Sequence, residues 1–251
     1  EINGLDSSMS EEELRTRRYG EFKACSGLVY PEFDENKHVI EPFDFPFDWQ
    51  NNISIDPGLN NPLSAHWYCV DYADTVYVVA EHFESGKDVE YHSEAIKKKC
   101  DEIGWRRDND GRIRALIDSA ANQKTLSSLK SVTELFYDYG ILVNPKVNKD
   151  LFSGIARVKE YLKNDRLYIF KTCTNLIREL KRYRWGDGDV PKKVDDHSLD
   201  ELRYFIMSRP KPEKKDGNKS VIAIDKERLY RKIKRGRKNS RYIPTEPAAN
   251  R

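Results

Sequence analysis

Asp195, Asp196, His197 and Asp200 stand together in "VDDHSLDELRYF", where an apolar helical pattern begins. Asp196, His197 and Asp200 are spaced to share one helical face, while Asp195 points elsewhere. Carboxylates are favoured at a helix amino terminus, and Asp195 or Asp196 reads as an N-cap, so the cluster also has a purely structural reading. Two more aspartates end apolar runs: Asp56 in "ISIDPG" and Asp118 in "ALIDSAA". Either alone reads as a turn starter. Taken jointly with Asp200, they form the oxygen-donor set that Mg2+ or Mn2+ requires. Without cations such carboxylates would repel one another and some would take up protons. Two ions held in this way suit phosphodiester hydrolysis: one activates a water, the other stabilises the leaving 3′ oxygen. His197 alone reads as a packed or capping histidine; within the set it can be a further ligand, or hold the scissile phosphate or the water. Lys192 and Lys193 precede the cluster and can contact a phosphate backbone; a solvated loop explains them equally well.

The elements that must position these side chains follow from periodicity. "NNISIDPG", "SAHWYCVDYAD" and "TVYVVAEHF" read as a three-stranded meander, rich in β-branched and aromatic residues. Helix and strand then alternate. "DVEYHSEAIKKKCDEIG" is a helix, "RIRALID" a strand, "LSSLKSVTELFYDYG" a helix, "ILVNP" a strand, "NKDLFSGIARVKEYLKN" a helix and "RLYIF" a strand. "CTNLIRELKRYRW" and "DDHSLDELRYFIMS" are the last two helices. This order predicts an α/β fold: a mixed sheet, an antiparallel meander followed by parallel strands, flanked by helices. Sites in parallel sheets collect at the carboxyl ends of strands, which is where Asp56 and Asp118 fall. Residues 1–50 read as an arm, with a short capped helix in "SSMSEEELRTRRYG" and an irregular, Pro-rich run too broken for a central strand. The compact domain spans 51–210, and 211–251 read as a basic extension.

Formal net charge is only +2, but it is distributed as a gradient. Residues 1–50 carry 12 carboxylates against 5 cations, and residues 201–251 carry 16 cations against 6 carboxylates. A basic tail of this kind suits a polyanionic partner, although a solvated tail that binds nothing has the same composition. Cys25, Cys69, Cys100 and Cys173 form no CxxC pair, which argues against a thiolate zinc site and for buried free thiols in a reducing compartment. No apolar run reaches the ~18 residues of a membrane span, and no signal-peptide pattern is present, so the chain reads as cytosolic. It opens without Met, as a fragment of something longer would.

"ISIDPG", "ALIDSAA", "GIARVKEYL", "RELKRYRW" and "DDHSLDELRYF", in this order, resemble the nuclease domain of the large terminase subunit of tailed bacteriophages, which has a ribonuclease H-like fold. The resemblance covers residues 17–208. Its most specific piece is Asp-His-x-x-Asp-x-x-Arg-Tyr at 196–204; family members often carry Ala where this chain has Glu201, an exchange expected beside the ligand face. The resemblance implies a metal-dependent endonuclease that cuts concatemeric viral double-stranded DNA during packaging, in the host cell cytoplasm. Asp56, Asp118 and Asp200 would be its acidic residues, His197 a ligand or helper, and Asp196 a ligand or a cap. It further implies a small terminase subunit and a portal protein as partners. "RRYGEF" and "GLVYPEF" resemble the segment leaving the family's ATPase domain. "ESGKD" lacks the first glycine and the hydroxyl of a P-loop, so no nucleotide binding is expected of this chain alone. Two other readings keep these residues: a junction resolvase or transposase of the same fold, and a non-catalytic module that docks on DNA or a portal.

Overall fold

Strand register decides where the carboxylates emerge, and it begins with the meander. In the computed structural model, which describes residues 27–58, 61–123, 129–186 and 188–209, β2 (Gln50–Asp56), β3 (Leu63–Val70) and β4 (Val76–Glu84) pair antiparallel in sequence order. β1 (Val39–Ile40) comes earlier in the chain, and β5 (Ile113–Ile117), β6 (Ile141–Asn144) and β7 (Leu167–Phe170) come later. β5 lies parallel to β2 and β6 parallel to β5, while β7 lies parallel to β4 and β1 parallel to β7. The seven strands run in the order β1-β7-β4-β3-β2-β5-β6. This is the mixed sheet that the order of elements implied. β3, all of whose residues are buried, sits at its centre, covered on both faces.

Alternation along the strands sorts the two faces. Trp67 of β3 donates its indole N–H to Cys100 Sγ at 3.2 Å, fixing α2 (Val89–Glu102) on one face. Tyr68 stacks on Phe205 with ring centroids 3.8 Å apart, fixing α6 (His197–Ser208) on the other. α1 (Glu35–His38), α3 (Val132–Asp138), α4 (Leu151–Lys163) and α5 (Thr174–Arg182) complete the set. α6 packs across β2 and β3 and against α4 and α5. At its far end Arg209 pairs with Asp74 in the β3–β4 turn, so α6 spans the sheet from one pole to the other.

Two local expectations change. The helix expected from Leu126 begins at Val132, because Ser131 and Glu134 form a capping box that starts it there. In the run expected to be irregular, Asp34 caps α1 and two residues form β1. β1 is an edge strand, the place in a sheet that a proline-rich segment can occupy. Phe43 from that run packs between Trp49, Tyr77 and Phe170. Cys69, Cys100 and Cys173 are buried free thiols. Among the described residues no helix is long and apolar enough to cross a membrane. Cys25, the expected helix of the amino-terminal arm and the basic extension 211–251 lie outside the described residues.

Candidate metal centre

Parallel pairing of β2 with β5 sets Ile55 opposite Ile117, and the Asp118 N–H donates to the Ile55 carbonyl at 3.3 Å. Asp56 and Asp118 therefore leave neighbouring strand ends side by side. Ser54 Oγ donates to the Glu201 carbonyl of α6, so alternation turns Asp56 to the same α6 face. The chain after Asp56 must turn at Gly58, where a Cβ would lie 2.4 Å from the Asn61 carbonyl oxygen; no side chain fits. After Asp118 the chain enters a 3-10 turn, and Asp118 Oδ1 accepts the Ala120 N–H at 2.7 Å. Its turn-starting role and its place at the site coexist.

α6 brings the other groups. Asp196 holds the N-cap position but makes no side-chain cap hydrogen bond. Glu179 of α5, fully buried, does that work, its Oε2 accepting the Ser198 N–H at 2.8 Å. The Asp196 carboxylate is thereby left to face the cleft. His197 Nδ1 lies 3.3 Å from Asp56 Oδ2. Asp200, one turn on, pairs with Arg203, and Tyr204, a further turn on, donates to Asp118 Oδ2 at 3.0 Å. Asp196, Asp200 and Tyr204 thus form one helical stripe at spacing four. A cleft of about 830 Å3 takes in Asp56, Lys193, Asp195, Asp196, His197 and Asp200. A smaller one of about 270 Å3 holds Asp118, Lys149 and Tyr204 and shares Lys193, Asp196 and Asp200 with the first.

Burial pushes the Asp56 carboxyl above the usual carboxylate range; the hydrogen bond with His197 works against the rise, and the charges of Asp118 and Asp196 add to it. The same bond to Asp56 raises His197. Burial would raise Asp118 too, but Lys149, the Ala120 N–H and the Tyr204 hydroxyl hold it below its ordinary value. Burial lifts Glu179 to about 7.

Among the described residues no three His, Cys, Asp or Glu side chains meet closely enough to enclose an ion. The reason is visible in the pairing: Asp118 is turned to Lys149 at 2.7 Å and Asp200 to Arg203. By donor type the set fits a divalent ion, with carboxylates and one imidazole around a half-buried cleft.

All of Asp56, Asp118, Asp196, His197 and Asp200 reach this pair of clefts, and Lys193 borders both. Lys192 is exposed and ties its backbone N–H to the Arg184 carbonyl at 3.0 Å. Asp195, set aside at first, adopts a left-handed φ of 52° and lines the larger cleft. Glu201 departs from its expected place beside the ligand face. One residue past Asp200 on a helix is a turn of about 100°, which buries Glu201 completely, with Oε1 2.5 Å from His66 Nδ1 and accepting from Tyr68 Oη at 2.6 Å. Tyr204 was detectable in sequence by its spacing of four from Asp200. Lys149 and Glu179 carried no local signal, since only the tertiary fold brings them to Asp118 and to the start of α6.

A mixed sheet with carboxylates at adjacent parallel strand ends, crossed by a helix that supplies more, defines a ribonuclease H-like α/β domain. The family model described as the terminase RNaseH-like domain matches residues 53–209, and the chain belongs to that family. The curated large terminase subunit of Salmonella phage P22 is 23% identical over 206 residues, covering 81% of this chain and 40% of that protein. The chain therefore spans less than half the length of this relative. The solved P22 large terminase nuclease domain superposes with a TM-score of 0.63 at 21% identity, over 74% of this chain and 94% of that one. The large terminase nuclease of thermophilic phage G20c, solved with bound cobalt, superposes with a TM-score of 0.51 at 10% identity, over 72% and 97% of the respective chains; that domain has also been solved with magnesium.

Proposed function

We propose that this chain is the DNA-cutting part of a viral packaging enzyme, a divalent-metal-dependent endonuclease that hydrolyses phosphodiester bonds of concatemeric double-stranded DNA. The observation that carries the reading is the emergence of Asp56 and Asp118 from adjacent parallel strand ends beneath His197 and Asp200. Bound Mg2+ or Mn2+, two ions in all, would activate a water and stabilise the leaving 3′ oxygen. Asp56, Asp118, Asp200 and His197 would hold them, with Asp196 alongside. Asp56 would serve as a carboxylate, a form that burial disfavours and its contact with His197 favours. Tyr204 fixes the rotation of the Asp118 carboxylate. Lys193, with Lys192 beside it, meets the phosphate backbone, a contact that positions duplex without reading its sequence.

In this reading residues 51–210 are the nuclease domain, 1–50 the arm from an ATPase domain in the full-length protein, and 211–251 a basic extension toward DNA, the small subunit or the portal. The work is done in the host cell cytoplasm. The fold and the carboxylate pair support the nuclease assignment, and metal in the G20c nuclease supports the cofactor.

Plasmid cleavage in Mn2+ and Mg2+ is the test. Asp118→Asn keeps an acceptor for the Ala120 N–H, and with Asp56→Asn it should lower cleavage by about 100-fold or more while the circular dichroism spectrum is retained. Full activity in either variant sinks the assignment. Cleavage confined to four-way junctions points instead to a resolvase, and duplex binding without any cleavage to a docking module.

A further inference from the structure

Lys149 lies between β6 and α4, and its ammonium donates to Asp118 Oδ1 at 2.7 Å. It also stands 6.0 Å from the centroid of the Tyr204 ring, whose hydroxyl holds the other Asp118 oxygen. The lysine side chain is 41% exposed and the aspartate 13%. The ammonium can therefore return to water at little cost, whereas the carboxylate stays at the cleft. Arg203 makes the opposite case. Its side chain is 5% exposed where it pairs with Asp200. A Cβ on Gly154 of α4 would come within 3.0 Å of its Cδ, and its guanidinium lies 5.8 Å from the Tyr183 ring centroid. Of the two cations paired with aspartates of the site, one is thus fixed and one can leave. A divalent ion and an ammonium on the same carboxylate would repel strongly, because their separation would be only a few ångströms.

We propose that Lys149 is an exchangeable cation of the site: it neutralises Asp118 until a divalent ion displaces it, and its ammonium then takes a phosphate oxygen of the bound DNA. This role rests on the metal-dependent reading of the site. It assigns Lys149 two tasks at successive stages, offsetting the charge of Asp118 before loading, and helping to hold the substrate afterwards. The small cleft bounded by Asp118, Lys149, Tyr204 and Lys193 is where both tasks would be carried out.

The test uses the whole chain as wild type, Lys149→Gln, Lys149→Arg and Asp118→Asn. Mn2+ is titrated calorimetrically without DNA, and binding of a short duplex is measured in Ca2+ across a salt series. Lys149→Gln should bind Mn2+ about 3-fold tighter or more, since a competing charge is gone. Its plot of log affinity against log salt should be shallower by about 1, with Lys149→Arg keeping the wild-type slope. Unchanged or weaker Mn2+ binding in Lys149→Gln overturns the proposal, as does an unchanged slope. Asp118→Asn separates the two claims. If it leaves Mn2+ affinity intact, the metal reading fails and this role with it. If it weakens Mn2+ binding while Lys149→Gln changes nothing, only the role of Lys149 fails.

Discussion

Tyr204 brings a single hydroxyl to the cleft, and Asp118 Oδ2 takes it at 3.0 Å. Tyr204→Phe removes that bond without changing the ring. The carboxylate then loses one of the groups that hold its proton affinity down, and its rotation is fixed by fewer contacts. Single-turnover cleavage in Mn2+ should fall by about 3- to 10-fold, the equivalent of roughly 1 kcal/mol for one hydrogen bond to a charged group. At this scale the sequence was informative about acids and poor about cations. Asp56, Asp118 and Asp200 were visible because strand ends and a helix start have local signatures. Lys149 was not, because a lysine in a loop looks alike whether it faces water or a carboxylate. Asp196 shows a subtler limit: it does take the N-cap position, yet a glutamate from another helix performs the capping.

Whole elements are placed by buried polar groups as well as by apolar packing. His66 of β3 lies between two glutamates: its Nε2 is 3.0 Å from Glu81 Oε2, and its Nδ1 is 2.5 Å from Glu201 Oε1. Glu81 also accepts the backbone N–H groups of Asn175 and Leu176 at the start of α5. One network thus joins β3, β4, α5 and α6 beneath the clefts. Removing one member of a buried ionic set leaves charge uncompensated, at a cost of about 3–5 kcal/mol. Glu201→Ala should therefore lower the unfolding free energy obtained from urea melts by an amount in that range. A second substitution, His66→Leu, should recover part of it, and the absence of any recovery would show the two side chains to be uncoupled. The meander and the alternation of helix and strand after it were legible from periodicity. The start of α3 was missed because apolar spacing ran on upstream of Ser131, and β1 because two residues are too few to show a period. Glu201 was misplaced because sequence adjacency to Asp200 says nothing about the angle around a helix.

For the molecule as a whole, these buried groups set a pH window. Burial lifts Glu179 to about 7. His66 is raised to about 9, the charges of Glu201 and Glu81 overcoming a burial effect that would lower it. In both cases the folded state holds the proton more tightly than the unfolded chain does. The Glu179 contribution is complete below the ordinary glutamate range and is lost as pH rises toward about 7; that of His66 is complete below about 6.5 and is lost as pH rises through about 9. Burial lowers His82 to about 4, a contribution that grows as pH rises toward 6.5 and opposes that of Glu179; from about pH 7 to 9, where His66 acts, stability should fall as pH rises, measured as urea unfolding at several pH values. Glu179→Gln, which retains an acceptor for the Ser198 N–H, should gain on the order of 2 kcal/mol over wild type at pH 8 and nothing near pH 4.5. An equal effect at both pH values would mean that the carboxyl titrates normally. The α6 helix runs between two anchors, Glu179 where it starts and Asp74 beyond its last turn. A rod of 12 residues, about 18 Å long and pinned at both ends, has little freedom to slide. Rearrangement of the carboxylate cleft is then left to rotating side chains, and a pull applied at the distant pole would be felt at His197 as tension along the rod.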